Sequence, residues 1–109
     1  MSKITTHVLD AVLGRPAVEI DISLDVAQGD AWINVAAGAT DADGRCRNLI
    51  QDAAAGRYRL TFFTGHYLKR NGRIGIYPEI SITFLCDGRE HYHLPLLLSD
   101  NSYTTYRGS

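Results

Sequence analysis

The chain has little of what would classify a protein at a glance. Cysteine is nearly absent: Cys46 and Cys86 are the only two in 109 residues, and they form no CxxC spacing. The spacing gives no zinc ribbon; a single structural disulfide stays open, and two isolated thiols fit a reducing compartment at least as well. Charge of one sign is also missing, since 11 Lys and Arg stand against 12 Asp and Glu for a formal net charge of -1. Without a basic footprint, nucleic acid is not expected as the partner, and the small cluster Lys69, Arg70 and Arg73 reads as a solvated loop. No apolar run approaches the length needed to cross a bilayer. The N-terminal segment MSKITTHVLDAVLGRPAV lacks the unbroken apolar stretch of a secretory signal. No repeat, linker or low-complexity tract divides the sequence. The expectation is one soluble, cytoplasmic domain with no membrane or nucleic-acid partner. A domain of this size buries roughly 60–70% of the surface of its unfolded chain, enough for a modest core without covalent staples.

What is present is strand-type alternation. Val18, Ile20, Ile22, Leu24 and Val26 alternate with Glu19, Asp21, Ser23 and Asp25, which predicts a strand with one buried and one wet face. Tyr58, Leu60 and Phe62 repeat the pattern, as do Ile80, Ile82 and Phe84. Further strands are predicted at Ile4–Leu9, Ala31–Ala39, Tyr92–Leu98 and Tyr103–Tyr106. Turn chemistry separates them at Gly14-Arg15-Pro16, Gln28-Gly29-Asp30, Asp41-Ala42-Asp43-Gly44, Asp87-Gly88 and Ser99-Asp100-Asn101. A short helix is predicted over about Gly65 to Asn71, closed by Asn71-Gly72. Many short strands with regular turns imply an all-β antiparallel sandwich or barrel.

Four groups of residues carry chemical potential. His7 lies in ITTHVLD, and Arg45 follows the tight Asp43-Gly44 turn. His91 and His93 are two apart, so a strand projects them from one face, away from Leu94 and Leu96. Tyr106-Arg107-Gly108-Ser109 close the given sequence, and this end is expected to belong to a site. Taken singly, each has a plain structural explanation: a hydrogen-bonded surface histidine, a solvated turn arginine, a cross-strand pair, a frayed end.

Taken together they resemble one family. ITTHVLD, TDADGR, GRYRLTF, YPEISITF, HYHLPLLLS and the final YRGS occur in the order and spacing of the transthyretin-like 5-hydroxyisourate hydrolases, over essentially the whole chain. The resemblance implies an eight-stranded β-sandwich with a short helix after the fifth strand. It also implies a homotetramer, a dimer of dimers whose channel holds the active sites. Its catalytic residues would be His7, Arg45, His93 and Ser109, with Tyr106 beside His7 and Arg45 in binding substrate, and with no metal or cofactor. The hormone carrier transthyretin shares the fold but lacks these residues, so the resemblance favours the enzyme. Arg47, a second basic residue after the turn, and His66, where the family often has a smaller residue, are departures. Arg47 leaves open which arginine faces the substrate.

The implied reaction hydrolyses 5-hydroxyisourate to 2-oxo-4-hydroxy-4-carboxy-5-ureidoimidazoline by opening a cyclic acyl–nitrogen bond. Water loses a proton as it attacks the carbonyl, and the leaving nitrogen gains one. A pair of histidines, titrating near neutrality, suits both tasks, and a permanently charged arginine suits orientation of the ring and the developing oxyanion. Which histidine takes the proton is open at this stage. Ser109 has no GxSxG context, so no covalent intermediate is required. Two alternatives stand beside this: a zinc hydrolase with His7, His91 and His93 as ligands, and a non-enzymatic transthyretin-like module binding an aromatic ligand.

Overall fold

The strand alternation builds two layers. The computed structural model describes residues 1–109. The strands are β1 (Ser2–Asp10), β2 (Arg15–Pro16), β3 (Asp21–Gln28), β4 (Ala31–Ala39), β5 (Arg45–Ala53), β6 (Gly56–Phe62), β7 (Ile80–Cys86), β8 (His91–Leu98) and β9 (Tyr103–Thr105), with helix α1 (Thr64–Arg70) between β6 and β7. One sheet runs β4-β3-β6-β7, and the other places β1 between β8 and β5, with β9 beyond β8. The two-residue β2 is a bridge onto the end of β1. The eight longer strands therefore make the sandwich that the resemblance implies, with the helix after the fifth of them. No helix is long and apolar enough to cross a membrane.

Between the sheets, Ile4 and Val8 of β1 and Leu94, Leu96 and Leu98 of β8 meet Ile22 and Leu24 of β3 and Leu60 and Phe62 of β6, all buried. Each such aliphatic side chain contributes about 1.5–3 kcal/mol on full burial. Cys46 and Cys86 are buried in this core and are not bonded to each other.

Three elements differ from the sequence expectation. The strand predicted from Val18 begins only at Asp21. Glu19 takes a left-handed backbone with φ 60°, which breaks the alternation, and the Arg70 guanidinium donates to the Val18 and Glu19 carbonyls at 3.0 Å. β5 was not predicted from its residues. Its buried positions, Cys46, Leu49 and Ala53, are spaced three and four apart because two register shifts interrupt its pairing with β1. Such bulges insert extra residues and destroy the period-two signature. Finally, the sandwich is not wholly antiparallel: β1 and β8 pair in parallel, Thr5 opposite His93 and His7 opposite Pro95. That single pair sets two distant motifs side by side.

The end of β1 is tied down by a buried ionic cluster. Asp10 receives the Arg73 guanidinium at 2.5 Å, the Tyr67 hydroxyl at 2.7 Å and the Val12 and Leu13 N–H groups at 3.1 Å. Arg73 also reaches Asp100 at 2.7 Å, so the loop after α1 is clamped to both the β1 and β8 ends. Burial pushes the Asp10 carboxyl up, but its bonds from Arg73, Tyr67 and Leu13 outweigh that and hold it below the usual carboxylate range. Burial and Asp10 together push Tyr67 up to about 12. Removing one partner of a buried pair strands the other, so Asp10→Ala is expected to cost about 3 kcal/mol. In a domain of this size that lowers the thermal midpoint by more than about 10 °C in calorimetry. Because the folded Asp10 pKa is depressed, its stabilisation is complete above about pH 4 and is lost as the pH falls through the folded value. The wild-type advantage over Asp10→Ala should therefore shrink in acid.

Candidate active site

Outward-facing residues of the parallel pair form the floor of the site. On β1 these are Lys3, Thr5 and His7; on β8 they are His91 and His93. Thr5 stands between the two β8 histidines, its Oγ1 2.7 Å from His91 Nε2 and 2.8 Å from His93 Nδ1. His93 Nε2 has no partner in the chain and is not among buried orphans, so it opens to the cleft.

Arg45 arrives from a turn built by Asp41. The Asp41 carboxylate accepts the Asp43 N–H at 2.9 Å and the Arg45 N–H at 3.0 Å; the Arg45 bond contributes most to holding that carboxyl below its ordinary value. Gly44, at φ 76°, passes so close to the Val8 carbonyl that any Cβ would collide with it. This explains the Asp-Gly ahead of the arginine: only glycine suits both the left-handed conformation and the approach. The turn is locked to β1 by the Val8 N–H donating to the Gly44 carbonyl at 2.7 Å and by His7, whose Nε2 donates to the Asp43 carbonyl at 2.9 Å. A carbonyl only accepts, so the proton of neutral His7 resides on Nε2.

The two arginines are not equivalent. Arg47 pairs with Asp41 at 2.8 Å and lies 3.6 Å from Asp43. The Arg45 side chain has no ion pair or hydrogen bond within the chain, which leaves its guanidinium open to a ligand.

The final residues fold back onto β8. The Gly108 N–H donates to the His93 carbonyl at 2.7 Å, and the Arg107 guanidinium lies 5.0 Å above the buried Tyr92 ring. A Cβ on Gly108 would meet His93 Cδ2 at 2.7 Å, so glycine here lets the backbone lie against the His93 imidazole. Ser109 is thereby delivered to the cleft. Both anchors join the tail to β8 of the same chain.

The result is a cleft of about 240 Å³ bordered by Lys3, Thr5, Thr6, Arg45, Arg47, His91, His93 and Ser109. No carboxylate side chain borders it. Three of the sequence-predicted residues, Arg45, His93 and Ser109, therefore meet there. His7 lies beside it, in register with Arg45, without bordering the cavity. Tyr106 is 56% exposed and also stands outside it. Thr5 and Lys3 were not singled out from the sequence, although the period-two face of β1 that carries His7 contains both. Burial first, then the Arg45 charge and electrostatic coupling to the neighbouring His91 and His7 rings, hold His93 below the ordinary histidine value. The zinc alternative needs converging ligands, yet His7 Nε2 is engaged by Asp43, and His91 Nε2 and His93 Nδ1 both face Thr5. No three His, Cys, Asp or Glu side chains gather to hold a metal ion.

The 5-hydroxyisourate hydrolase of Salmonella typhimurium is 39% identical over 109 aligned residues, covering 97% of this chain and 80% of that protein. The structure of Klebsiella pneumoniae 5-hydroxyisourate hydrolase superposes with a TM-score of 0.91 at 37% identity, covering 100% of both chains. Transthyretin from Sparus aurata superposes with a TM-score of 0.93 at 34% identity, covering 99% of this chain and 97% of that one. A hydrolase and a transthyretin thus superpose on this chain about equally well, so the fold alone does not choose between them. The family model described as HIUase/Transthyretin matches residues 4–108, and the chain belongs to that family.

Proposed function

We propose that the chain is a 5-hydroxyisourate hydrolase, opening a cyclic acyl–nitrogen bond of a small purine-derived substrate with water. Relatives across bacteria and animals carry that name. The observation that favours the enzyme over a carrier is the meeting of Arg45, His93 and Ser109 in one polar cleft. A hormone-sized aromatic ligand would call for apolar walls, and none of the bordering residues is hydrophobic.

In this reading His93 is the general base. Its depressed pKa keeps it neutral at physiological pH, and its Nε2 opens to the cleft. Water gives a proton to Nε2 as its oxygen bonds to the acyl carbon, and the imidazolium returns the proton to the leaving nitrogen. Arg45 holds the substrate oxygens and the charge that develops on the attacked carbonyl. His7 holds the Arg45 turn against β1 and places a second imidazole beside the substrate. The Ser109 hydroxyl helps position the water, and Tyr106 closes over the substrate in the assembled protein. No metal or cofactor takes part.

Assembly as a dimer of dimers belongs to the same proposal. β7 and β9 are sheet edges with no further strand, and Val12, Leu13, Ile74, Ile76 and Tyr103 are exposed apolar side chains, a liability in a free monomer. The purified protein should accelerate the ultraviolet decay of freshly generated 5-hydroxyisourate, exhaustive chelation should leave the rate unchanged, and light scattering should give the mass of four chains. Decay at the spontaneous rate would remove the enzyme assignment.

A further inference from the structure

Thr5 has no place in the mechanism just described, yet its side chain is hydrogen-bonded to both β8 histidines. Its hydroxyl lies 2.7 Å from His91 Nε2 and 2.8 Å from His93 Nδ1, while the two ring centroids stand 6.0 Å apart. Thr5 is buried, His93 is half-buried and His91 is exposed. The three groups form a short hydrogen-bonded chain along one side of the cleft.

A threonine hydroxyl has one proton to donate. If His93 Nδ1 carries its proton, it donates to Thr5 Oγ1, Thr5 donates to His91 Nε2, and the His93 Nε2 lone pair faces the cleft. If the direction is reversed, the hydroxyl donates to His93 Nδ1 and an Nε2–H points into the cleft. The surroundings select between the two. Lys3 and Arg45, which have no ion pair in the chain, border that cleft with the Asp41-paired Arg47, and no carboxylate side chain does. A lone pair directed at these cations is stabilised, and an N–H directed at them is repelled. His91 is exposed and its Nδ1 has no partner in the chain, so it is free to take the matching tautomer.

We propose that Thr5, backed by His91, is a positioning residue that fixes the tautomer of His93 and presents its Nε2 lone pair to the attacking water. This deepens the hydrolase reading and rests on it for its effect on rate, while the tautomer itself is a property of the resting protein. The arrangement does for His93 what an orienting carboxylate does for a histidine base elsewhere, with a neutral hydroxyl that adds no negative charge to a cleft built to bind an anion or developing oxyanion.

The test measures tautomer and turnover together. In the 15N spectrum of the wild-type protein, His93 should show a protonated Nδ1 and an unprotonated Nε2. Thr5→Val keeps the side-chain shape and deletes the hydroxyl; it should move His93 towards the Nε2–H form and lower kcat about tenfold or more, with KM within about twofold. Thr5→Ser restores the hydroxyl and should recover both the tautomer and most of kcat. His91→Ala leaves Oγ1 able to accept from His93 Nδ1 and should change the tautomer less than Thr5→Val. Should Thr5→Val prove unfolded by circular dichroism, the wild-type and Thr5→Ser spectra still decide the assignment. A wild-type His93 with its proton on Nε2, or a folded Thr5→Val with wild-type kcat, overturns it. A wild-type protein inactive on 5-hydroxyisourate overturns the hydrolase reading instead, and leaves the tautomer measurement standing.

Discussion

Replacing His93 with alanine is expected to lower kcat/KM on 5-hydroxyisourate by about 10²–10⁴-fold, the range that a positioned acid–base group supplies. The same change at His91 is expected to cost much less. Both project from one face of β8, but His93 is half-buried with the Gly108 backbone packed against its ring, whereas His91 is exposed. His7→Ala should also be severe, because His7 holds the Asp43 carbonyl and with it the turn that aims Arg45. Circular dichroism should be unchanged in all three, since none of these side chains belongs to the core. If His91→Ala were the most damaging, the assignment of the base would be wrong.

The pH profile carries the same argument with a sign. His93 must be neutral to accept a proton, and burial, Arg45, His91 and His7 all favour its neutral form. The ascending limb of kcat/KM should therefore lie below the ordinary histidine value of 6.5, leaving a flat profile at neutrality. Arg45→Met removes the largest of the neighbouring charges acting on the ring. The His93 midpoint, followed by NMR titration, should then rise while staying below the ordinary value, because burial remains. A downward shift would contradict the proposed placement of Arg45 beside the base.

How much of this was readable beforehand depends on how each feature is encoded. β3, β6 and β7 declare themselves because one face of each is buried, and that writes period two into the residues. β5 is silent because its bulges give Cys46, Leu49 and Ala53 a spacing closer to a helix. The pairing of β1 with β8 is encoded in no local pattern, since Thr5 and His93 are brought together by the whole intervening topology. Resemblance to a family supplied His7, Arg45, His93 and Ser109; it had no means of showing that Arg47 is held by Asp41 while Arg45 is free. Thr5 was overlooked for a simpler reason. A threonine in a strand is ordinary on grounds of propensity, and only the two distances to the histidines give it a role.

The last expectation concerns the end of the given sequence, where ordinary reasoning and this structure disagree. Terminal residues are usually the most mobile and the most dispensable part of a domain. Arg107 and Ser109 are exposed and no core side chain is lost with them, so removing Arg107-Gly108-Ser109 should shift the thermal midpoint by little more than a typical surface change, about 0.5 kcal/mol. Activity should respond very differently. Gly108 is bonded to the His93 carbonyl and lies against its ring, Arg107 is stacked on Tyr92, and Ser109 borders the cleft. Removal would free the imidazole on one side and take away the serine hydroxyl together. A displacement of about 1 Å at a reacting group can cost on the order of 10² in rate, and kcat/KM should fall by at least that much. Gly108→Val separates the two contributions, because it keeps Ser109 but drives a side chain into His93 Cδ2. It should lose activity almost as severely as the truncation. A truncated protein with full turnover would show that these residues only resemble a site.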